Sequence, residues 1–145
     1  MQVIRKLSMA VLFSVMATGV AHAEQVVFKA NLEPSTEVPP TTSKGSGKVD
    51  ATLDTSTKLF KWKVSYEGLT GPATAAHFHG PAPVGQNAGP VIPVKVPEAP
   101  SGSVSGEQTL TDAQVSDLET AKWYFNVHTA KNKGGEIRGQ LMPGH

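Results

Sequence analysis

The 145-residue sequence contains no cysteine. It therefore forms no disulfide, so stability must come from packing or from a bound ion. The lack of thiolates also restricts any metal site to histidine, carboxylate, methionine or backbone ligands. Neither sign of charge predominates, since the chain has 13 basic and 12 acidic residues. Without a basic patch, the chain is not expected to have nucleic acid as its partner.

Long apolar runs are lacking except near the start of the chain. Two basic residues precede an uncharged apolar stretch at 7–20, and Ala21 and Ala23 provide the small residues of a cleavage site. This order is typical of a secretory signal peptide, and the stretch is too short to span a membrane. We therefore predict a signal peptide at 1–23 and a domain at 24–145 that is periplasmic or secreted.

Apolar and polar residues alternate over most of the remaining chain, which is typical of half-buried antiparallel strands. Pro93 restricts the strand that contains it to an edge or a bulge. The alternation predicts strands at 26–32, 48–53, 60–66, 73–79, 91–96, 104–110, 123–128 and 136–141.

One helix interrupts this pattern. Thr111 and Gln114 have the spacing of a capping box, and Val115 and Leu118 supply an apolar stripe, so we predict about three turns that end near residue 122.

Short strands with frequent turns and one small helix predict a single all-β domain, a Greek-key β-sandwich or barrel. The large aromatic residues Trp62, Trp123 and Phe125 are expected in its core. The segment 33–47 is rich in proline, threonine, serine and glycine and is predicted to be a loop, and 33–48 is expected to be the most mobile part of the domain.

Five histidines are the residues with the clearest chemical potential. His22 lies in the predicted signal peptide and His145 ends the chain. His77 and His79 are two residues apart in a predicted strand, so both side chains point to one face. His128 ends another predicted strand. If these strand ends meet, three imidazole rings converge.

Three neutral imidazoles without a thiolate suit copper or zinc, and the order of metal affinities favours copper. Ordinary hydrogen-bonding histidines are the alternative interpretation. The sequence leaves open whether His22 or His145 adds a ligand. Cleavage after Ala21 instead of Ala23 would make His22 the new N-terminus.

Neighbouring polar residues are candidates for supporting such a site. A metal-bound imidazole usually donates its other N–H to a carboxylate or a carbonyl, and Asn126 and Glu136 are placed to accept it. Arg138 can hold an anion or guide one to the metal. Alternatively, Glu136 and Arg138 form ordinary cross-strand pairs. No nucleophilic motif is present, so no catalytic residue is predicted.

Two motifs resemble one known family. The segment 75–82, AAHFHGPA, resembles the histidine motif of CHRD domains, which are named after chordin. The segments 124–129 and 134–141, YFNVHT and GGEIRGQL, resemble the closing motif of the same family. The resemblance spans about 26–141. It implies an immunoglobulin-like β-barrel with a distant similarity to Cu/Zn superoxide dismutases, and it implies no settled biochemical activity.

Within that distant similarity, only His77, His79 and His128 match a dismutase-type copper set. The segment 80–89 contains no histidine and no aspartate, so a zinc-binding loop has no counterpart and a single metal is implied. The leading prediction is an exported protein that stores, carries or buffers a metal, with copper favoured and zinc possible. The alternatives are a dismutase-like copper redox enzyme and an extracellular protein-interaction domain without metal.

Overall fold

The computed structural model describes residues 11–15 and 24–144. Residues 11–15 have no regular secondary structure and are exposed. The predicted cleavage site, His22 and His145 lie outside the described residues. No helix in the described ranges is long and apolar enough to cross a membrane.

Residues 24–144 form a β-rich domain. A short 3-10 helix at Pro34–Thr36 follows the first strand, and the α-helix α1 at Asp112–Glu119 follows the sixth. The strands are β1 Gln25–Leu32, β2 Ser46–Asp54, β3 Leu59–Glu67, β4 Ala73–His79, β5 Pro90–Val94, β6 Gly102–Thr109, β7 Tyr124–Thr129, β8 Ile137–Gln140 and β9 Met142–Gly144.

The strands form two antiparallel sheets. A five-stranded sheet has the order β6-β3-β2-β1-β9, and a four-stranded sheet has the order β5-β4-β7-β8. The predicted all-β sandwich is therefore confirmed. Pro93 lies in β5, an edge strand, where its missing N–H breaks no ladder between two neighbours.

The core lies between the sheets. In β3, Phe60 and Trp62 are buried whereas Lys61 is exposed, as the period of two predicts. The ring of Phe60 packs edge-on against Trp123 at a centroid distance of 5.9 Å, which joins β3 to the residue before β7. Trp62, Trp123 and Phe125 are all buried in this core, so their predicted placement is confirmed.

Helix α1 begins as predicted but ends earlier. Both hydrogen bonds of the capping box between Thr111 and Gln114 are present. Leu118 is fully buried, and the helix ends at Glu119 instead of near residue 122. Ala121 adopts a positive φ of 58°, a left-handed conformation that does not continue an α-helix.

The chain changes sheets at its end. β8 belongs to the four-stranded sheet, Leu141 is buried, and Met142–Gly144 then pairs with β1 as the ninth strand. The sequence analysis did not predict this strand, because a Met-Pro-Gly segment has no alternating pattern.

The loop at 33–45 packs against the four-stranded sheet. Glu33 and Arg138 exchange two backbone hydrogen bonds of 3.0 and 3.1 Å, and the Thr41 hydroxyl donates to the carbonyl of Glu136 at 2.7 Å. The loop predicted to be the most mobile is thus hydrogen-bonded to Arg138 in β8 and to Glu136 just before that strand. It covers one end of the sheet that carries the histidines.

Candidate metal centre

The pairing of β4 with β7 brings the three histidines together. In this register His79 lies opposite Tyr124, and His77 lies opposite Asn126, two residues before His128. Because side chains alternate across a strand, all of these residues share the face of the sheet that is turned away from the core.

The three imidazole rings lie close together. His77 Nδ1 and His128 Nε2 are 3.1 Å apart. One nitrogen from each of the three histidines lies within 4.8 Å of the others. Two nitrogens bound at about 2.0–2.1 Å to one tetrahedral ion are about 3.3 Å apart, so the spacing of His77 and His128 suits a shared ion. The predicted three-histidine cluster is present.

For His79 and His128, backbone carbonyls determine which ring nitrogen is free to bind a metal. His128 Nδ1–H donates to the carbonyl of Lys133 at 2.8 Å, and His79 Nδ1–H donates to the carbonyl of Ala88 at 2.9 Å. In the neutral rings, Nε2 of both residues then carries a lone pair. Metal-binding histidines are usually oriented in this way.

The electrostatics of the cluster favour the neutral forms of His77 and His79. Burial lowers the pKa of His77, and the neighbouring His128 and His79 lower it further. Burial also lowers the pKa of His79, an effect that its hydrogen bonds to Ala88 and Asn126 partly offset. Because neutral imidazole is the form that coordinates a metal, these shifts favour metal binding at neutral pH.

Asn126 directly contacts one of the predicted ligands. Its side-chain Oδ1 lies 2.8 Å from His79 Nε2. A carbonyl oxygen accepts from Nε2 only when that nitrogen is protonated. The amide nitrogen of Asn126 points to the other side, 3.4 Å from the carbonyl of Gly134. The predicted supporting residue therefore contacts Nε2 of His79, the ring nitrogen that the Ala88 carbonyl leaves free.

Arg138 is buried beside the site and does not face solvent. Only 2% of its surface is exposed, and its guanidinium donates to Asn87 Oδ1 at 2.7 Å and to the carbonyl of Gln86. Its Cζ lies 3.5 Å from the centre of the Tyr124 ring, which stacks against His79 at 4.7 Å. This placement favours support of the site over the predicted guidance of anions.

Glu136 makes no hydrogen bond to any of the three histidines, in contrast to its predicted role. Its buried carboxylate accepts hydrogen bonds from four residues that belong to loops and to the end of β7: Ser43, Thr70, Thr129 and Asn132. Burial alone would raise its pKa, but these hydrogen bonds lower it from 4.5 to about 2. Glu136 precedes β8, so the alternation that predicted a face shared with Arg138 does not apply to it.

Glu37 is a buried carboxylate near the site that the sequence analysis missed. It is 4% exposed, and its Oε1 lies 3.9 Å from Arg138 Nη1. Burial raises its pKa from 4.5 to about 7, although Arg138 and the nearby amide of Asn126 act to lower it. Glu37 lies in a loop without periodicity. The only available signal was that a buried arginine needs a nearby counter-charge.

Comparison with known proteins identifies the domain. A family model described as CHRD domain matches residues 28–141. The chain belongs to the CHRD domain family. The match covers nearly all of the sandwich and includes His77, His79 and His128, so the resemblance seen in the two motifs is confirmed. No curated protein and no solved structure matches this CHRD domain.

Proposed function

We propose that this CHRD domain binds a single transition-metal ion through His77, His79 and His128, and that it stores, carries or buffers this ion outside the cytoplasm. The supporting observation is the convergence of three imidazole nitrogens within 4.8 Å on one face of the sheet. The predicted signal peptide supports the location.

The donor set argues for copper, with zinc as the second choice. Three imidazoles without thiolate or clustered carboxylate suit both ions, and copper(II) binds more tightly in the general order of affinities. His77 and His128 are only half-buried, so an ion can reach the cluster from solvent. Neutral rings and two fixed tautomers reduce the reorganisation that binding requires.

Binding without turnover is favoured over a dismutase-like reaction. A copper redox enzyme that acts on an anion benefits from an exposed cation beside the metal. Arg138, the candidate for that role, is buried against Glu37, Asn87 and Tyr124. We therefore expect the copper-loaded domain to remove superoxide no faster than an equal amount of free copper. Faster removal that depends on His128 would favour the enzyme instead.

A titration with copper(II) against a competing chelator tests the proposed site. We expect His128→Ala to weaken binding by at least about 100-fold, more than the loss typical for a residue that only orients a ligand. The matched control is Lys133→Ala, since Lys133 contacts His128 through its backbone carbonyl alone and its side chain is exposed. Equal affinities for the wild type and His128→Ala would refute the site.

A further inference from the structure

His79 is the least converged of the three histidines. The ring centroids of His77 and His128 are 5.0 Å apart, whereas those of His79 lie 5.4 Å from His77 and 6.1 Å from His128. An ion held by all three rings therefore requires His79 to move closer or to reorient. What holds His79 in its present place decides how easily it can do so.

The amide of Asn126 lies on the nitrogen that His79 has left for a metal. Nδ1 of His79 donates to the carbonyl of Ala88, so Nε2 is the remaining donor atom. The amide oxygen of Asn126 is 2.8 Å from that atom. An ion bound at about 2 Å from Nε2 cannot share this position with the amide oxygen, so binding at Nε2 requires the amide to move away.

The displaced amide can move towards Glu37, which lies on the side of Asn126 that faces away from His79. Glu37 Oε2 is buried and has no hydrogen-bond partner among the described residues. The amide lowers the pKa of Glu37, and its contact with the carbonyl of Gly134 is long, at 3.4 Å. The amide nitrogen is thus close to a carboxylate oxygen that it does not yet fully engage.

The backbone keeps this space free. A Cβ atom on Gly135 would lie 2.3 Å from Glu37 Oε2 and 2.5 Å from Asn126 Nδ2. Gly135 also has a positive φ of 122°, which residues with side chains rarely adopt. Glycine at this position leaves room for the carboxylate and the amide to approach each other.

We propose that Asn126 is a gate on the metal centre: in the metal-free protein its amide oxygen occupies the position beside His79 Nε2, and the amide moves towards Glu37 when an ion binds. This inference rests on the proposed metal site and adds a competitor to it. A residue that merely oriented His79 would contact the nitrogen facing away from the ion, as the carbonyl of Ala88 does. The gate and the orienting role therefore predict opposite effects when Asn126 is removed.

The first test uses the wild-type protein and zinc, a diamagnetic ion, as the probe. Titration followed by NMR should shift the side-chain amide resonances of Asn126 as zinc binds. Those of Gln140 should stay in place, because its amide donates to the carbonyls of Ala82 and Ala121 and contacts no histidine. Asn126 resonances that do not respond to bound zinc would overturn the gate.

The second test measures zinc affinity by chelator competition. Removing the competitor in Asn126→Ala should tighten binding by about three- to ten-fold, the range that one net hydrogen bond corresponds to. Asn126→Leu, which keeps the buried volume, should do the same, and Gln140→Ala should change nothing. Weaker or equal binding by both Asn126 variants would assign Asn126 an orienting role and overturn the gate.

The two tests separate the gate from the metal site on which it rests. If wild-type protein binds zinc and His128→Ala does not, the site stands whatever the Asn126 variants do. If wild-type protein binds neither zinc nor copper, the proposed function fails, and the gate fails with it.

Discussion

The outer faces of the two sheets differ, although their inner faces are both apolar. On the five-stranded sheet, Lys61 pairs with Glu107 at 3.9 Å, and both side chains are about 60% exposed. On the four-stranded sheet, His79, Asn126 and Arg138 are 8%, 2% and 2% exposed. One sheet presents charges to water, and the other buries polar groups under loops.

The difference identifies where this fold can place a binding site. Two loops, at 33–45 and 80–89, contact the four-stranded sheet through Glu37, Asn87 and Ala88. Under such a cover polar groups lose water and must satisfy one another, which fixes their positions. Fixed polar groups around converging imidazoles are what a metal site requires.

The largest effect is expected from breaking the buried pair. Arg138→Ala leaves the Glu37 carboxylate buried without its cation and also removes the contacts to Asn87 and Tyr124. We expect it to lower the free energy of unfolding by about 3–5 kcal/mol, measured by denaturant titration at pH 8. Lys61→Ala, on the exposed face of the other sheet, should change it by less than about 0.5 kcal/mol. Equal costs for the two variants would contradict the contrast between the faces.

A second comparison sets a buried carboxylate against an exposed one. The pKa of Glu136 falls from 4.5 to about 2 in the folded protein. Its ionised carboxylate therefore contributes fully to the free energy of unfolding above pH 4.5, and this contribution is lost as the pH falls to 2. Glu136→Gln should therefore lower the free energy of unfolding by about 3 kcal/mol at pH 7. The cost should disappear towards pH 2. Glu107→Gln serves as the exposed control, and a pH-independent cost at Glu136 would argue against this explanation.

A third comparison uses two adjacent glycines. Gly135→Ala introduces a Cβ against Glu37 and Asn126 at a positive φ, whereas a Cβ on Gly134 meets nothing within 4 Å. We expect Gly135→Ala to lower the free energy of unfolding by about 2 kcal/mol or more, and Gly134→Ala to lower it by less than about 1 kcal/mol. Thermal unfolding of both variants measures the difference. A well-tolerated Gly135→Ala would mean that the space behind Asn126 is not tight.

The regular part of the fold was predictable, because alternation has a direct physical cause. Phe60 and Trp62 face the core and Lys61 faces water in any antiparallel strand with one buried side. The same period placed His77 and His79 on one face, so the histidine cluster followed from the pattern once β4 and β7 paired. These predictions needed no knowledge of the loops.

The rest depended on contacts that no local pattern encodes. Arg138 has the spacing of a residue on the outer face, and only the folding of two aperiodic loops over it makes that position buried. Glu37 lies in one of those loops. Glu136 precedes its strand, so a period of two placed it on the wrong side. The last strand escaped prediction because Met142–Gly144 has neither alternation nor β-branched residues.

X-ray absorption spectroscopy of the domain loaded with one copper(II) per chain tests the central claim most directly, because its scattering signal counts the imidazole rings on the ion. Three rings are predicted for the wild type and for Lys133→Ala, and two for each of His77→Ala, His79→Ala and His128→Ala. A wild-type count below three, or a count that any of those three substitutions leaves unchanged, would contradict the account.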